Sequence, residues 1–231
     1  MCMHSIVRLQ DCHSESLLLS RYVNGDKIRH CSVKEVFRGV DYTLRMPLTL
    51  ATLNQQLASW KGCALCENAN PVLGEGSPNA KVMFIGEAPG QKEDELKRPF
   101  VGAAGTFLNE LLSSINLKRE DVYISNVVKF RPPNNRDPEQ IEKEQCLPWL
   151  LLEISIIKPR VIVPLGRHAL AHFFPSKTIS EAHGKALSLT DAVTVFPIYH
   201  PAAALHNGSL RQALTSDFRA LGEYLAQTGI V

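Results

Sequence analysis

The sequence predicts an α/β fold, a three-layer αβα sandwich around a central four-stranded parallel sheet. Three observations predict it. Four short apolar runs are bounded by turn residues, and stretches with apolar residues at helical spacing separate them. A chain of 231 residues, 45% hydrophobic and 21% charged, is long enough to bury one good core.

Residues 1–47 alternate polar and apolar side chains, carry three of the six cysteines and show no sustained period, so they read as an amino-terminal extension. The ordered domain, 48–231, begins beyond them. KVMFIG (Lys81 to Gly86) is an apolar run stopped by glycine, as a strand buried on both faces should be. Leu108, Leu111, Leu112 and Ile115 then recur at helical spacing behind Thr106, a residue suited to capping. Val122 to Val128 is the second strand. Leu147, Leu150, Leu151 and Ile154 mark a second helix, which Pro148 should kink or start. Val161 to Leu165 is the third strand, Val193 to Ile198 the fourth, and Leu210, Leu214, Phe218 and Leu221 mark a closing helix.

No apolar run approaches the roughly 20 residues of a membrane span, and the first residues lack the pattern of a signal peptide. A cytoplasmic location is therefore expected, where six cysteines serve as free thiols or metal ligands rather than as a disulfide framework. The formal charge of +2 gives no global pull toward nucleic acid, so any DNA contact must come from a local basic surface.

Ligands of parallel sheets bind where the strands' carboxyl ends open into loops, and the informative motifs fall there. GEAPGQKEDE (Gly86 to Glu95) follows the first strand. It reads either as a tight turn with solvated charges or as a backbone that approaches a ligand closely, and it lacks the G-x-G-x-x-G dinucleotide spacing. RPFVGAAG (Arg98 to Gly105) holds Phe100, a core plug or a platform on which a flat base stacks. NVVKFRPPNNR (Asn126 to Arg136) starts with an amide that either turns the chain or reads the paired donor and acceptor edge of a flat base. Lys129, Arg131 and Arg136 in it supply local positive charge. In YHPAAALHNGSLRQ (Tyr199 to Gln212), His200 is either structural or a donor to a leaving group that gains negative charge.

Together these four segments resemble the type-4 uracil-DNA glycosylases over about Leu57 to Leu221. The resemblance implies a uracil-DNA glycosylase-like sheet between helices and an enzyme that hydrolyses the N-glycosidic bond of deoxyuridine, initiating base excision repair. It implies Glu87 and His200 as catalytic residues and Gly86, Phe100, Asn126 and Glu93 as uracil-binding ones. Ala88 stands where other uracil-DNA glycosylases have an aspartate, and Glu93 where they place the tyrosine that excludes thymine's methyl. Lys129, Arg131, Arg136, Pro201, Leu205, His206 and Arg211 would meet DNA, with Pro201 to Arg211 as a loop that wedges into the gap left by the flipped nucleotide. The implied partner is uracil-containing DNA, single- or double-stranded, with room for a sliding clamp, no membrane and a monomeric state.

The resemblance also implies a 4Fe-4S cluster on four cysteines. Cys63, Cys66 and Cys146 occupy three of the family positions, and Phe130 the fourth. Either the cluster is absent, or Cys31 or Cys12 completes it, or another metal such as zinc takes the remaining thiolates. Two rival functions share these features. Relatives that become covalently trapped on uracil-containing DNA insert a basic loop with a reactive histidine, whereas Glu95 to Phe100 here is ELKRPF. A non-catalytic single-stranded DNA-binding module would also use basic loops and aromatics.

Overall fold

The computed structural model describes residues 49–205 and 207–231 in full, and in the amino-terminal region the backbone of three strands. Those strands, β1 (Ser5–Leu9), β2 (Leu18–Val23) and β3 (Asp26–Ser32), form an antiparallel sheet in the order β1-β2-β3. The alternation of residues 1–47 is thus strand alternation in these segments.

In the main domain, α1 (Leu50–Ser59) starts at a capping box in which Thr49 and Thr52 bond each other's backbone amides. The short β4 (Glu75–Gly76) leads to β5 (Val82–Gly86), α2 (Gln91–Leu96), α3 (Ala103–Ser114) and β6 (Tyr123–Asn126). Then come α4 (Gln140–Ile157), β7 (Val161–Pro164), α5 (Arg167–Ala171), α6 (Ile179–Ala182), β8 (Leu187–Ser188) and β9 (Thr194–Val195). Two helices close the chain, α7 (Pro201–Ala204) and α8 (Gly208–Gln227).

The sheet has six strands in the order β4-β6-β5-β7-β9-β8. Its centre, β6-β5-β7-β9, is the expected parallel set. The two-residue edges β4 and β8 pair antiparallel and were not expected; they blunt the edges of the sheet. Successive strand residues point to opposite faces and feed two cores. Met83, Ile85 and Ile162 pack with α1 and α4, around Leu53, Leu57, Trp149 and Leu150. Val82, Phe84 and Val163 pack with α3 and α8, around Leu108, Leu112, Phe218 and Leu221.

Two helix boundaries differ from expectation. α3 starts behind Gly102, and Thr106 lies in its first turns with Oγ1 3.4 Å from the Gly102 carbonyl. α4 starts behind Glu139 and runs on through Pro148, which neither begins nor ends it.

Candidate active site

The carboxyl ends of β5, β6 and β9 open on one cleft of about 300 Å³, lined among others by Glu87, Glu93, Phe100, Asn126, Asp137 and His200. That volume suits a single flat base. The loops are stitched together by backbone bonds from Val127 N–H to the Gly86 carbonyl and from Val128 N–H to the Glu87 carbonyl, at 3.0 and 2.9 Å. Gly86 is required by contact: a methyl group there would meet the Asn126 amide and lie 2.6 Å from the Phe100 ring. Gly166, beyond β7, has φ +86, and its absent side chain leaves room for His200.

Phe100 is buried and held at φ +50, a conformation that costs a non-glycine residue. Neighbouring groups hold it there. Glu93 Oε1 accepts from the Val101 and Gly102 amides at 2.8 and 2.7 Å, and Arg119 donates to the carbonyls of Pro99 and Phe100. Arg119 is itself held by Glu75, which also takes a bidentate bond from Arg98. The Phe100 ring lies 5.7 Å from that of His200, tilted by 30°. Glu93, expected against the base, therefore lines the cleft while its carboxylate clamps the loop that carries Phe100.

Asn126, the last residue of β6, is buried, yet its Oδ1 has no hydrogen-bond partner. An idle buried amide oxygen costs on the order of 1–3 kcal/mol, so this atom is poised for a ligand. His200 caps α7, its Nδ1 accepting from the Ala202 amide at 3.1 Å. The bond leaves Nε2 as the protonated, donating nitrogen of a neutral ring. Burial holds its pKa down to about 4, with Glu93 opposing, so the ring stays neutral at pH 7.

Glu87 is buried enough that desolvation, reinforced by Asp137, raises its pKa to about 7 against the opposing charges of Lys143 and Arg167. Its Oε1 lies 3.4 Å from His168 Nε2, which is 3.2 Å from Asp137 Oδ2. Sequence reasoning missed Asp137 and His168. The signal was there: Gly166 ends a strand and precedes a helix, as in the motif after β5. These three residues bring ligand atoms within 4.8 Å of one another, but Arg167 at 3.0 Å from Asp137 and Lys143 at 3.3 Å from His168 already supply the positive charge.

The expected DNA-contacting residues divide. Lys129 is a correction: its side chain is fully buried, and Nζ donates to Ser125 Oγ and Glu153 Oε2, both at 2.7 Å. Its ammonium turns into the sheet because Glu153 of α4 would otherwise be a buried, uncompensated charge. Pro201 is likewise buried, as the first residue of α7, and the expected wedge loop consists of α7 and the start of α8. Proline suits that first helical position, where no amide hydrogen is needed. Arg136 stands at the cleft, but its guanidinium is bidentate to Glu142 at 2.8 and 2.6 Å. Arg131 donates to Asn135 Oδ1 at 2.7 Å. Arg211 is exposed over the Phe107 ring, 3.3 Å from Glu110, and Leu205 is half-buried. His206 lies outside the described residues.

The thiols lie away from the cleft residues, in the core between the sheet, α1 and α4. Cys63, Cys66 and Cys146 are free and buried. Cys146 Sγ accepts from the Lys129 amide at 3.5 Å and is hydrogen-bonded to Cys63. That bond lowers the Cys63 pKa to about 7 and, with burial, pushes Cys146 well up. The Phe130 ring is 1% exposed and lies 5.9 Å from Trp60, which meets Trp149 edge-on at 5.5 Å. A 4Fe-4S cluster is held by four thiolates, and a phenyl ring cannot be one of them. The residues present do not fit that group. Cys12 lies outside the described residues, and only the backbone is described at Cys31.

Comparison with known proteins bears on the whole arrangement. The family model described as the uracil DNA glycosylase superfamily matches residues 73–222. The type-4 uracil-DNA glycosylase of Sulfurisphaera tokodaii is 45% identical over 76% of this chain and 84% of its own length. Those of Archaeoglobus fulgidus and Thermotoga maritima are 45% and 41% identical, over 76% and 73% of this chain and 92% of each relative. With the family model spanning the main sheet and the loops of the cleft, and with relatives this similar, the chain belongs to the uracil-DNA glycosylase superfamily, within its type-4 enzymes.

Proposed function

We propose that this chain is a monofunctional glycosylase that hydrolyses the N-glycosidic bond of deoxyuridine in DNA, with residues 48–231 as the catalytic domain and residues 1–47 as an extension. The observation that carries the reading is the buried Asn126 amide, its Oδ1 unpartnered, in the cleft that Phe100 and His200 also line. The described helices include none long and apolar enough to cross a membrane.

A base extruded from DNA enters the cleft and stacks on Phe100, while Asn126 meets its O4 and N3–H edge. The C1′–N1 bond breaks with its electron pair going to uracil. Charge grows on O2, where the His200 Nε2–H donates, a bond made chiefly in the transition state. Water then adds to the oxocarbenium-like sugar carbon and gives its proton to Glu87, while the DNA phosphates share the stabilisation of the cation. No lysine nucleophile takes part, so the strand is left uncut at an abasic site. Arg131 remains as a cation for the DNA backbone, joined by Arg211, whose exposed pair with Glu110 can give way to a phosphate, with Leu205 at the end of α7 facing the gap in the stack.

The test is uracil release from U:G, U:A and single-stranded substrates with DNA in excess over full-length protein. Many uracils per chain are expected. One uracil per chain with protein trapped on DNA, or binding without release, would replace the enzyme by one of its two rivals. Asn126→Asp should lose discrimination between uracil and cytosine, because a carboxylate accepts from the cytosine amino group and no longer donates to O4. Unchanged excision ratios would remove Asn126 from base reading.

A further inference from the structure

We propose that this chain folds without an iron–sulfur cluster, its Phe130 ring closing the fourth corner of a pocket whose other three corners are Cys63, Cys66 and Cys146. We further propose that the single substitution Phe130→Cys converts this pocket into a cluster site.

The thiols come from two stretches that the sequence separates widely. Cys63 and Cys66 sit on the short 3-10 turn Ala64–Glu67 behind α1, and Cys146 sits on α4. All three share one apolar cluster with Val128, Phe130 and Trp149. Phe130 immediately follows Lys129, whose amide hydrogen already points at Cys146 Sγ. The segment leaving β6 thus passes beside Cys146, and the Phe130 ring is buried in the same core as the three thiols rather than turned to solvent.

What a cluster would do for the fold, tying α1 and its following turn to the sheet, is here done by other contacts. Leu53 and Leu57 of α1 are buried in the same core. The Trp60 ring, at the carboxyl end of α1, bridges Phe130 and Trp149. Past the turn, the Val72 amide donates to the Lys129 carbonyl at 2.8 Å. Burial of aromatic surface has replaced metal–thiolate bonds as the fastening.

The experiment uses the full-length chain, made in iron-rich medium and purified without oxygen. Iron and sulfide are measured together with the broad visible absorbance of iron–thiolate charge transfer. Wild-type protein should be colourless, hold far less than one iron per chain, take up none on treatment with ferrous iron and sulfide, and unfold at the same temperature with and without chelator. Phe130→Cys should be brown, with about four irons per chain. Phe130→Leu should fold and stay colourless. A wild-type protein carrying a cluster overturns the proposal, whether its iron count is about three on the three cysteines or about four with help from Cys31 or Cys12. So does a folded but colourless Phe130→Cys, since the thiols would then be ordinary core residues. Should that variant fail to fold, the wild-type treatment with iron and sulfide decides alone. None of these readouts involves uracil release, so this proposal and the proposed activity stand or fall separately.

Discussion

Asn126 and Phe130 lie on one short segment leaving β6, and their surroundings are opposites. Asn126 faces a hollow in which its own oxygen has no hydrogen-bond partner and Glu87 Oε1 has only His168, at 3.4 Å. Phe130 faces a packed interior of rings and thiols. Between them Lys129 is fully buried, its ammonium bound by Ser125 and Glu153, with Tyr123 facing the same carboxylate. On the closed side Lys129, Ser125 and Glu153 Oε2 were paired as the chain folded, and the atoms left idle there, Tyr123 OH and Glu153 Oε1, face packed protein. On the open side the idle atoms face a cleft. Burial alone therefore does not distinguish a site from a core; the hollow in front of an idle polar atom does.

The sharpest way to break this contrast is Lys129→Ala. Leaving Glu153 buried without its partner should cost about 3–5 kcal/mol of stability, read from urea unfolding, while the salt dependence of DNA binding stays unchanged. Normal stability with a reduced salt dependence would return Lys129 to the DNA surface. On the open side the effects reverse. His200→Ala should slow single-turnover excision by about 10²–10³ with little change in DNA affinity, because the lost bond is made as charge moves onto the base. Weak binding with normal cleavage of bound DNA would make His200 a positioning residue.

The smallest effect is expected at Glu87. Its pKa, raised to about 7 by burial and Asp137, means that the carboxyl is protonated below that pH and cannot take a proton from water. Excision should rise as pH passes upward through about 7, whereas the His200 ring, neutral above about 4, adds no limb there. The groups facing Glu87 are Asp137 and Lys143 with Arg167 and His168 of α5. Glu87→Gln should flatten the rise and cost roughly tenfold at pH 8, since the DNA phosphates share the stabilisation of the cation. A rise that persists in Glu87→Gln would assign it to another group.

Much of the fold was legible because parallel strands covered on both faces must be apolar throughout, and Val82 to Gly86 and Val161 to Leu165 are. The edges Glu75–Gly76 and Leu187–Ser188 were not legible, since two residues carry no period. In the amino-terminal region the dipeptide Asn24-Gly25, between runs that pair as β2 and β3, is a hairpin signal that went unread. The cleft-lining residues Glu87, Phe100, Asn126 and His200 were legible because each sits at a strand exit or in a glycine-flanked loop. Lys129 misled because charge in a sequence implies a wet side chain, and its partner Glu153 lies in a helix far along the chain. His168 went unread although it follows the strand-ending Gly166, and Asp137 because it lies one residue beyond the basic loop; only the folded loops bring them to Glu87.

The strained Phe100 loop has a consequence for timing. An extruded base spends only brief intervals outside the duplex, and a slot that had to assemble around it would mostly arrive too late. Because Glu93 and Arg119 hold Phe100 at φ +50 before any DNA is present, the cost of that conformation, about 1–3 kcal/mol, is met once, when the chain folds. In the proposed reaction each encounter would then find a finished surface, and the chance of capture would depend on how often bases leave the stack rather than on how fast the protein can rearrange.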